Sequence, residues 1–283
     1  MTSSTTTLRG AALLAGLALT VAGCSAAEPA GGTTSAPTSD SGSSAAATDT
    51  SLADVQEAGV LVVGTEGTYR PFSFHEEGSG DLTGFDVEVA QAVGEELGVE
   101  VQFEETQWDA IFAGLEAGRF DAIANQVSIT PDREAAYTFS APYTISTGVI
   151  VVPADDTSIS SFEDLEGKTT AQSLTSNWYE LAEESGATIE AVEGWAQSVA
   201  LVEQDRVDAT INDKLTFLDY ATTNDASGLK VAAETEETSE SAFAFAQGST
   251  TLADAVSDAL EALAADGTLA EISEKYFGAD VTR

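Results

Sequence analysis

WDAIFAGLEAGRFDAIAN, residues 108–125, lies without a gap over WAQSVALVEQDRVDATIN, residues 195–212. Identities fall at Trp108/Trp195, Ala113/Ala200, Glu116/Glu203, Arg119/Arg206, Asp121/Asp208, Ala122/Ala209 and Asn125/Asn212. Alanine and glutamate are common in this chain, so their matches weigh little. Two of its three tryptophans and two of its ten basic residues in register weigh more. Each stretch reads as a helix followed by a short apolar strand ending in a polar residue. The repeat predicts two similar helix–strand units, one in each of two α/β lobes.

The flanking sequence extends the first unit. VLVVG (60–64) is a continuous apolar run closed by glycine, as in a strand buried on both faces. Phe85, Val89, Val93 and Leu97 are spaced four apart, an apolar helical stripe that Gly98 terminates. VEVQF (99–103) and FDAIAN (120–125) read as further strands, with a helix over 108–117 between them. Strands alternating with helices predict a parallel α/β sheet. Ligands of such sheets sit beyond the carboxyl ends of the strands. Those ends carry Asn125, Gln126, Val127 and Ser128 in one unit and Asn212 and Asp213 in the other. Two such ends facing each other make a cleft.

Composition narrows the function. The chain has 283 residues, 48 Asp+Glu against 10 Lys+Arg and a formal net charge of −38. Such an acidic protein is a poor partner for nucleic-acid phosphates or anionic lipid. One cysteine, Cys24, excludes an intramolecular disulfide, and one histidine, His75, leaves no multi-His metal site. His75 sits in SFHEEGSGD and reads as a solvated turn residue.

The N-terminus reads as an address. Arg9 precedes an apolar run from Ala11 to Ala22, too short to span a membrane but suited to a secretory signal. VAGC (21–24) resembles a lipobox, in which the chain is cut before the cysteine and the thiol acylated. Residues 25–50 contain nothing apolar larger than alanine or proline and read as a flexible tether. A signal over 1–23, a lipid on Cys24 and a tether over 24–50 are therefore expected.

At this point the chain resembles the bacterial extracellular solute-binding proteins of family 3, the substrate-binding lipoproteins of amino-acid ABC importers. GTYRPFSF (67–74), GFDVEVAQAVGEEL (84–97), SITPDREAAYTFSAPY (128–143), DLEGK (164–168) and DGTLAEISEKYFG (266–278) carry the resemblance. AQSLTSN (171–177) and RVDATINDKLTFLDY (206–220) look most like the cystine-type members. The resemblance implies a periplasmic-binding-protein-like α/β fold, with two lobes, a ligand cleft and a two-segment hinge. Lobe one would comprise 51–144 and 241–283, and lobe two 145–240. It implies a monomer that is not an enzyme, without metal or cofactor, partnered by a small amino acid and ABC permease subunits, outside the cell membrane on its lipid anchor.

An amino acid is a zwitterion, and burying it leaves two full charges in need of partners. Arginine offers a carboxylate a planar, permanently charged fork. Arg133 matches the family position for the ligand carboxylate, and Asp213 that for the ammonium. A surface ion pair is the plain alternative for Arg133. Ser128 matches a group that holds the carboxylate, and Gln126 one whose backbone carbonyl accepts from the ammonium. Asn125 either joins them or satisfies the strand end. Thr175, Ser176 and Asn177 precede a helix, where Ser or Asn is an expected cap and first-turn N–H groups suit a carboxylate. Tyr69 and Trp108 match aromatic positions flanking the ligand side chain, with Thr68 and Phe72 on the same wall. Trp195 reads as packing. The competing class is an enzyme on this fold, such as a cyclohexadienyl or arogenate dehydratase. Another polar ligand such as glutamine is the competing substrate.

Overall fold

A computed structural model describes residues 48–282. The expected signal segment, Cys24 and the expected tether as far as Ala47 lie outside the described residues. The chain enters through α1 (Ser51–Ala58) and β1 (Val60–Thr65), then a small antiparallel sheet of β2 (Thr68–Tyr69), β3 (Ser73–His75) and β4 (Leu82–Thr83). It continues through α2 (Phe85–Leu97), β5 (Glu100–Glu105), α3 (Trp108–Glu116), β6 (Ala122–Ser128), α4 (Pro131–Ala136) and β7 (Tyr137–Phe139). β8 (Thr144–Ser146) leads into the second lobe. There lie β9 (Gly148–Pro153), β10 (Thr169–Gln172), α5 (Asn177–Glu184), β11 (Thr188–Ala191), α6 (Trp195–Glu203), β12 (Thr210–Asp213), α7 (Lys214–Thr223) and β13 (Leu229–Glu234). β14 (Ser239–Ala246) returns the chain to α8 (Thr250–Asp266) and α9 (Thr268–Phe277).

The first sheet runs β5-β1-β6-β14-β7. The second runs β12-β9-β13, with the parallel pair β10-β11 joined to it by a bridge between Thr170 and Ala209. The two orders correspond strand for strand. β1 is parallel to β5 and β6, as expected, but β14 and β9 are antiparallel to their neighbours β6 and β12. The sheets are therefore mixed, not parallel throughout. β14 and β9 begin where the chain crosses between lobes, so each must run away from the cleft that β6 and β12 approach. The crossovers pair with each other, Thr144 to Ser146 against Ser241 to Ser239, and form the two-segment hinge.

Part of the internal repeat has a direct physical cause. Asp121 and Asp208 stand just before equivalent strands, and each carboxylate accepts a backbone N–H from the neighbouring strand: Val62 at 2.8 Å and Thr169 at 2.8 Å. Each aspartate N–H returns a bond to the same residue's carbonyl, again at 2.8 Å. In both lobes this clamp fixes the register of the strand that delivers the cleft residues.

Helices cover both faces of each sheet. The α2 stripe is buried through Phe85, Val89 and Val93 against α8 residues such as Leu252, Val256 and Leu260. Trp108, Ile111 and Leu115 of α3 pack with Phe120 and Ile123 on the opposite face. In lobe two, Val199, Val202 and Phe217 form one layer, and Ala182, Ile150 and Ile211 another. The folded body begins slightly before residue 51, because Asp49 accepts N–H from Thr251 at 2.6 Å in the first turn of α8.

GFDVEV owes its first residue to a close approach. Gly84 has φ +134°, and a Cβ there would lie 2.2 Å from the Phe72 carbonyl oxygen. The N–H groups of Phe85 and Asp86 donate to the carbonyls of Pro71 and Phe72 at 2.9 and 3.0 Å. Backbone thus caps α2 where no side chain does. Gly84→Ala should cost roughly 3 kcal/mol in strain and overpacking. At about 2–4 °C per kcal/mol, calorimetry should record a Tm lower by about 6–12 °C.

Candidate functional site

The two lobes meet across a cavity of roughly 400 Å³. Several side chains span it. Tyr69 of β2 donates its hydroxyl to Asn212 Oδ1 of β12 at 2.9 Å and lies 3.0 Å from Thr216 Oγ1 of α7. Arg70 Nε meets Asp219 at 3.4 Å. Thr175 N–H and Oγ1 donate to Asp109 Oδ1 at 3.2 and 3.0 Å, and Arg133 Nη2 donates to the Thr175 carbonyl at 3.1 Å. With these bonds made, the lobes stand closed.

The end of β6 is built to bulge into the cleft. Val127 pairs with Ala242 of β14, and Ile123 with Ala244, so residues 124–126 stand against Phe243 alone and β6 carries two extra residues. Gln126 absorbs the turn at φ +51°, unusual for a residue with a side chain. Buried Asp86 holds it there, accepting from Gln126 N and Nε2 at 2.7 Å each. Burial pushes the Asp86 carboxyl up to about 7 against the effect of those bonds. Gln126 Nε2 also donates to Thr144 Oγ1 at 3.1 Å, leaving Oε1 buried without a partner. The Gln126 amide nitrogen is thus committed to the protein, and its ligand-facing capacity rests on oxygen atoms.

Asn125 satisfies the strand end, one of its two expected roles, while also lining the cavity. Its Oδ1 accepts from Thr65 Oγ1 at 3.0 Å and Glu66 N at 2.9 Å; its Nδ2 donates to Glu66 Oε2 at 2.7 Å. Glu66 belongs to the cavity wall and has no cation within salt-bridge distance among the described residues. Burial pushes its carboxyl up to about 7, moderated by Asn125.

Arg133 lies on α4, a six-residue helix begun by Thr130 as cap and Pro131. Its Nη1 donates to the Ser128 carbonyl at 2.9 Å, and its guanidinium carbon sits 5.5 and 5.3 Å from the ring centres of Trp108 and Phe112. Burial lowers its pKa to about 10, which leaves it charged at neutral pH. Among the described residues no carboxylate lies within 4 Å of it, so Arg133 is not part of a surface ion pair. Ser128 is buried, and its hydroxyl accepts from Ser239 at 3.0 Å.

Opposite, Asp213 is 5% exposed and also has no cation partner among the described residues. It caps α7 through Leu215 N at 2.8 Å and accepts from Ser146 Oγ at 2.8 Å, while burial raises its carboxyl to about 6. Ser176 caps α5, accepting from Tyr179 N at 3.0 Å. The structure places Tyr69, Trp108, Asn125, Gln126, Ser176 and Asn177 in the cavity wall. Ser128, Arg133, Thr175 and Asp213 are not among the lining residues. The Thr175 hydroxyl and carbonyl are engaged in closure.

Other expectations change. Thr68 joins the wall, but Phe72 is fully buried in the lobe-one core. Trp195 lines the cavity as well as packing edge-on against Tyr220. Trp178 does too, so all three tryptophans of the chain face this space. Trp108 and Trp195 are each the first residue of their helix, so the repeat delivers an indole from either lobe. His75 is anchored by Glu105 at 2.9 Å and the Gly80 carbonyl at 2.8 Å, because the hairpin folds onto the end of β5. Glu66, Glu105 and Glu193 line the cavity with no Lys, Arg or His. Glu66 and Gln172, both missed from sequence, gave no signal beyond lying one residue past a strand or at its end.

The model of the family described as "Bacterial extracellular solute-binding proteins, family 3" matches residues 61–279. A probable amino-acid ABC transporter-binding protein of Haemophilus influenzae is 53% identical over 81% of this chain and 89% of its own. An L-cystine-binding protein of Bacillus subtilis is 49% identical over 82% and 86%. The L-cystine solute receptor of Neisseria gonorrhoeae, solved unliganded and open, is 45% identical over 82% of this chain and 99% of its own, with a TM-score of 0.57. That score is modest for such identity. The bonds spanning the cleft here account for it, since lobe opening displaces one lobe as a body.

Proposed function

The chain belongs to the bacterial extracellular solute-binding proteins of family 3, and from that membership we propose that it is the substrate-binding component of an amino-acid ABC importer, capturing L-cystine by lobe closure. The observation that carries this reading is a pair of unmatched charges on opposite lobes, each just behind the wall of the closed cavity: Asp213 follows lining Asn212, and Arg133 bonds the carbonyl of Thr175, next to lining Ser176. Closure on an α-amino acid would give the guanidinium its carboxylate and Asp213 its ammonium. A ligand bridging both lobes binds the closed state better than the open one, which is the condition for driving closure. Residues 51–144 with 241–283 and residues 145–240 are the two bodies that move, about the paired crossovers. The lipid on Cys24 holds the protein at the outer face of the membrane, within reach of the permease.

Cystine is favoured by the named relatives and by a cavity longer in polar features than one amino-acid head requires. Calorimetry against a panel of amino acids tests it, with mass spectrometry of any ligand carried through purification. Tight binding of L-cystine is expected; preference for glutamine, histidine or arginine would refute it. One observation favours an enzyme instead: the Glu66 carboxyl at about 7 is poised to exchange a proton. Prephenate or arogenate incubated with the purified protein is expected to remain unchanged, and turnover would reverse the reading.

Affinity should depend on pH in a defined direction. The ligand ammonium favours ionised Asp213, so binding releases the proton held with a pKa of about 6. Calorimetric affinity should rise as pH increases towards 7 and fall by up to about tenfold per unit well below 6. Stability of the ligand-free protein has the opposite sign for Asp213, Asp86 and Glu66. The folded state keeps protons that the unfolded chain has lost, so each group weakens the fold as pH rises from about 4 to 6–7.

A further inference from the structure

The cavity wall holds a set of groups, separate from Arg133 and Asp213, that one amino-acid head does not use. α6 begins at Gly194 with no side-chain cap, in contrast to α5, whose terminus Ser176 closes. The first N–H groups of a helix have no intrahelical partner. Here Gly194, Trp195 and Ala196 line the cavity. No steric reason demands glycine at 194: its φ is extended, and the nearest atom to an added Cβ is Glu66 Oε1 at 3.9 Å. A capping residue would fit, yet the terminus is open.

A second observation points to a ligand at the same place. Gln172 ends β10, is 3% exposed and belongs to the cavity wall, and its Nε2 has no hydrogen-bond partner. A buried amide donor left unpaired is costly, so an acceptor is expected there. The wall offers no Lys, Arg or His, so an isolated anion would lack a counter-charge. A second zwitterionic head brings its own. Its ammonium would face Glu66, which approaches the start of α6 from the opposite lobe.

Resting on the cystine reading, we infer that the cavity contains a distal zwitterion subsite, with the α6 N-terminus and Gln172 Nε2 holding a second α-carboxylate and Glu66 the second ammonium. The class of ligand it selects is the long diamino dicarboxylic acid, two amino-acid heads joined by a short linker. Helix N–H groups suit such a carboxylate, and Glu66 keeps lone pairs beyond its hydrogen bonds from Asn125 Nδ2 and the Trp108 backbone.

Truncated ligands isolate each half. The mixed disulfide of cysteine with cysteamine keeps the distal ammonium and lacks the distal carboxylate. The mixed disulfide of cysteine with 3-mercaptopropionate keeps the carboxylate and lacks the ammonium. Calorimetry in thiol-free buffer should show wild-type protein binding L-cystine at least tenfold tighter than either. Gln172→Leu should shrink the cystine advantage over the cysteamine disulfide at least threefold, and Gln172→Glu should shrink it further. Glu66→Gln should shrink the advantage over the mercaptopropionate disulfide. If wild type binds L-cystine but binds both truncated ligands equally well, or if Gln172→Leu weakens all three alike, the distal subsite is overturned and the cystine reading stands. If no disulfide binds while another amino acid does, the cystine reading falls and takes the subsite with it.

Discussion

Arg133→Ala is expected to abolish detectable amino-acid binding while the protein stays folded. Removing one member of a buried charged pair costs about 3–5 kcal/mol, an affinity loss of about 150- to 5,000-fold. Much of this comes from the ligand carboxylate, left desolvated without its fork. The fold should tolerate the change. Arg133 sits on a six-residue helix with no buried residue, and its side chain bonds only to two backbone carbonyls. A Tm within a few degrees of wild type, alongside lost binding, is the expected pair of results. Arg133→Lys keeps the charge without the planar fork and should fall between. An Arg133→Ala affinity within threefold of wild type would refute the assignment.

Asp213→Asn should have the second-largest effect. Truncating the charge of a buried, hydrogen-bonded pair costs about 2–5 kcal/mol, or about 30- to 5,000-fold. Asparagine retains an oxygen for Leu215 N–H and Ser146 Oγ, so the start of α7 should survive. The loss should be specific: an analogue of the ligand without its α-ammonium should bind both proteins within a few-fold of each other. The variant should also lose the part of the fall in affinity below pH 6 that Asp213 contributes, leaving only the part that comes from Glu66. Equal weakening of both ligands would mark Asp213 as a support for α7 and the hinge rather than a ligand contact.

The architecture was legible because its signals are local. The apolar stripe of α2, the αL glycine at its end, Gly98, and the repeated helix–strand unit report on short segments. The antiparallel course of β9 and β14 was not legible, since direction follows from where the chain crosses between lobes. The site divides the same way. Arg133 stood out by scarcity and Asp213 by its place in the repeat. Glu66 is one of 48 acidic residues. Gln172 is distinguished only by an empty hydrogen-bonding position, which exists once β10 and α6 are brought together. Asp86 was within a recognised motif, but its task, holding Gln126 at a positive φ forty residues away, depends on the bulge in β6.

The placement of the three tryptophans makes the protein its own optical instrument. Trp108, Trp178 and Trp195 all border the cavity, and the chain has no fourth. Tryptophan emission, excited selectively over the six tyrosines, therefore arises entirely from indoles that a ligand would desolvate, with no silent indole to dilute the change. Two of them belong to one lobe and one to the other. Replacing each singly by phenylalanine would turn the emission spectrum into a record of which wall is wetted first as the lobes part.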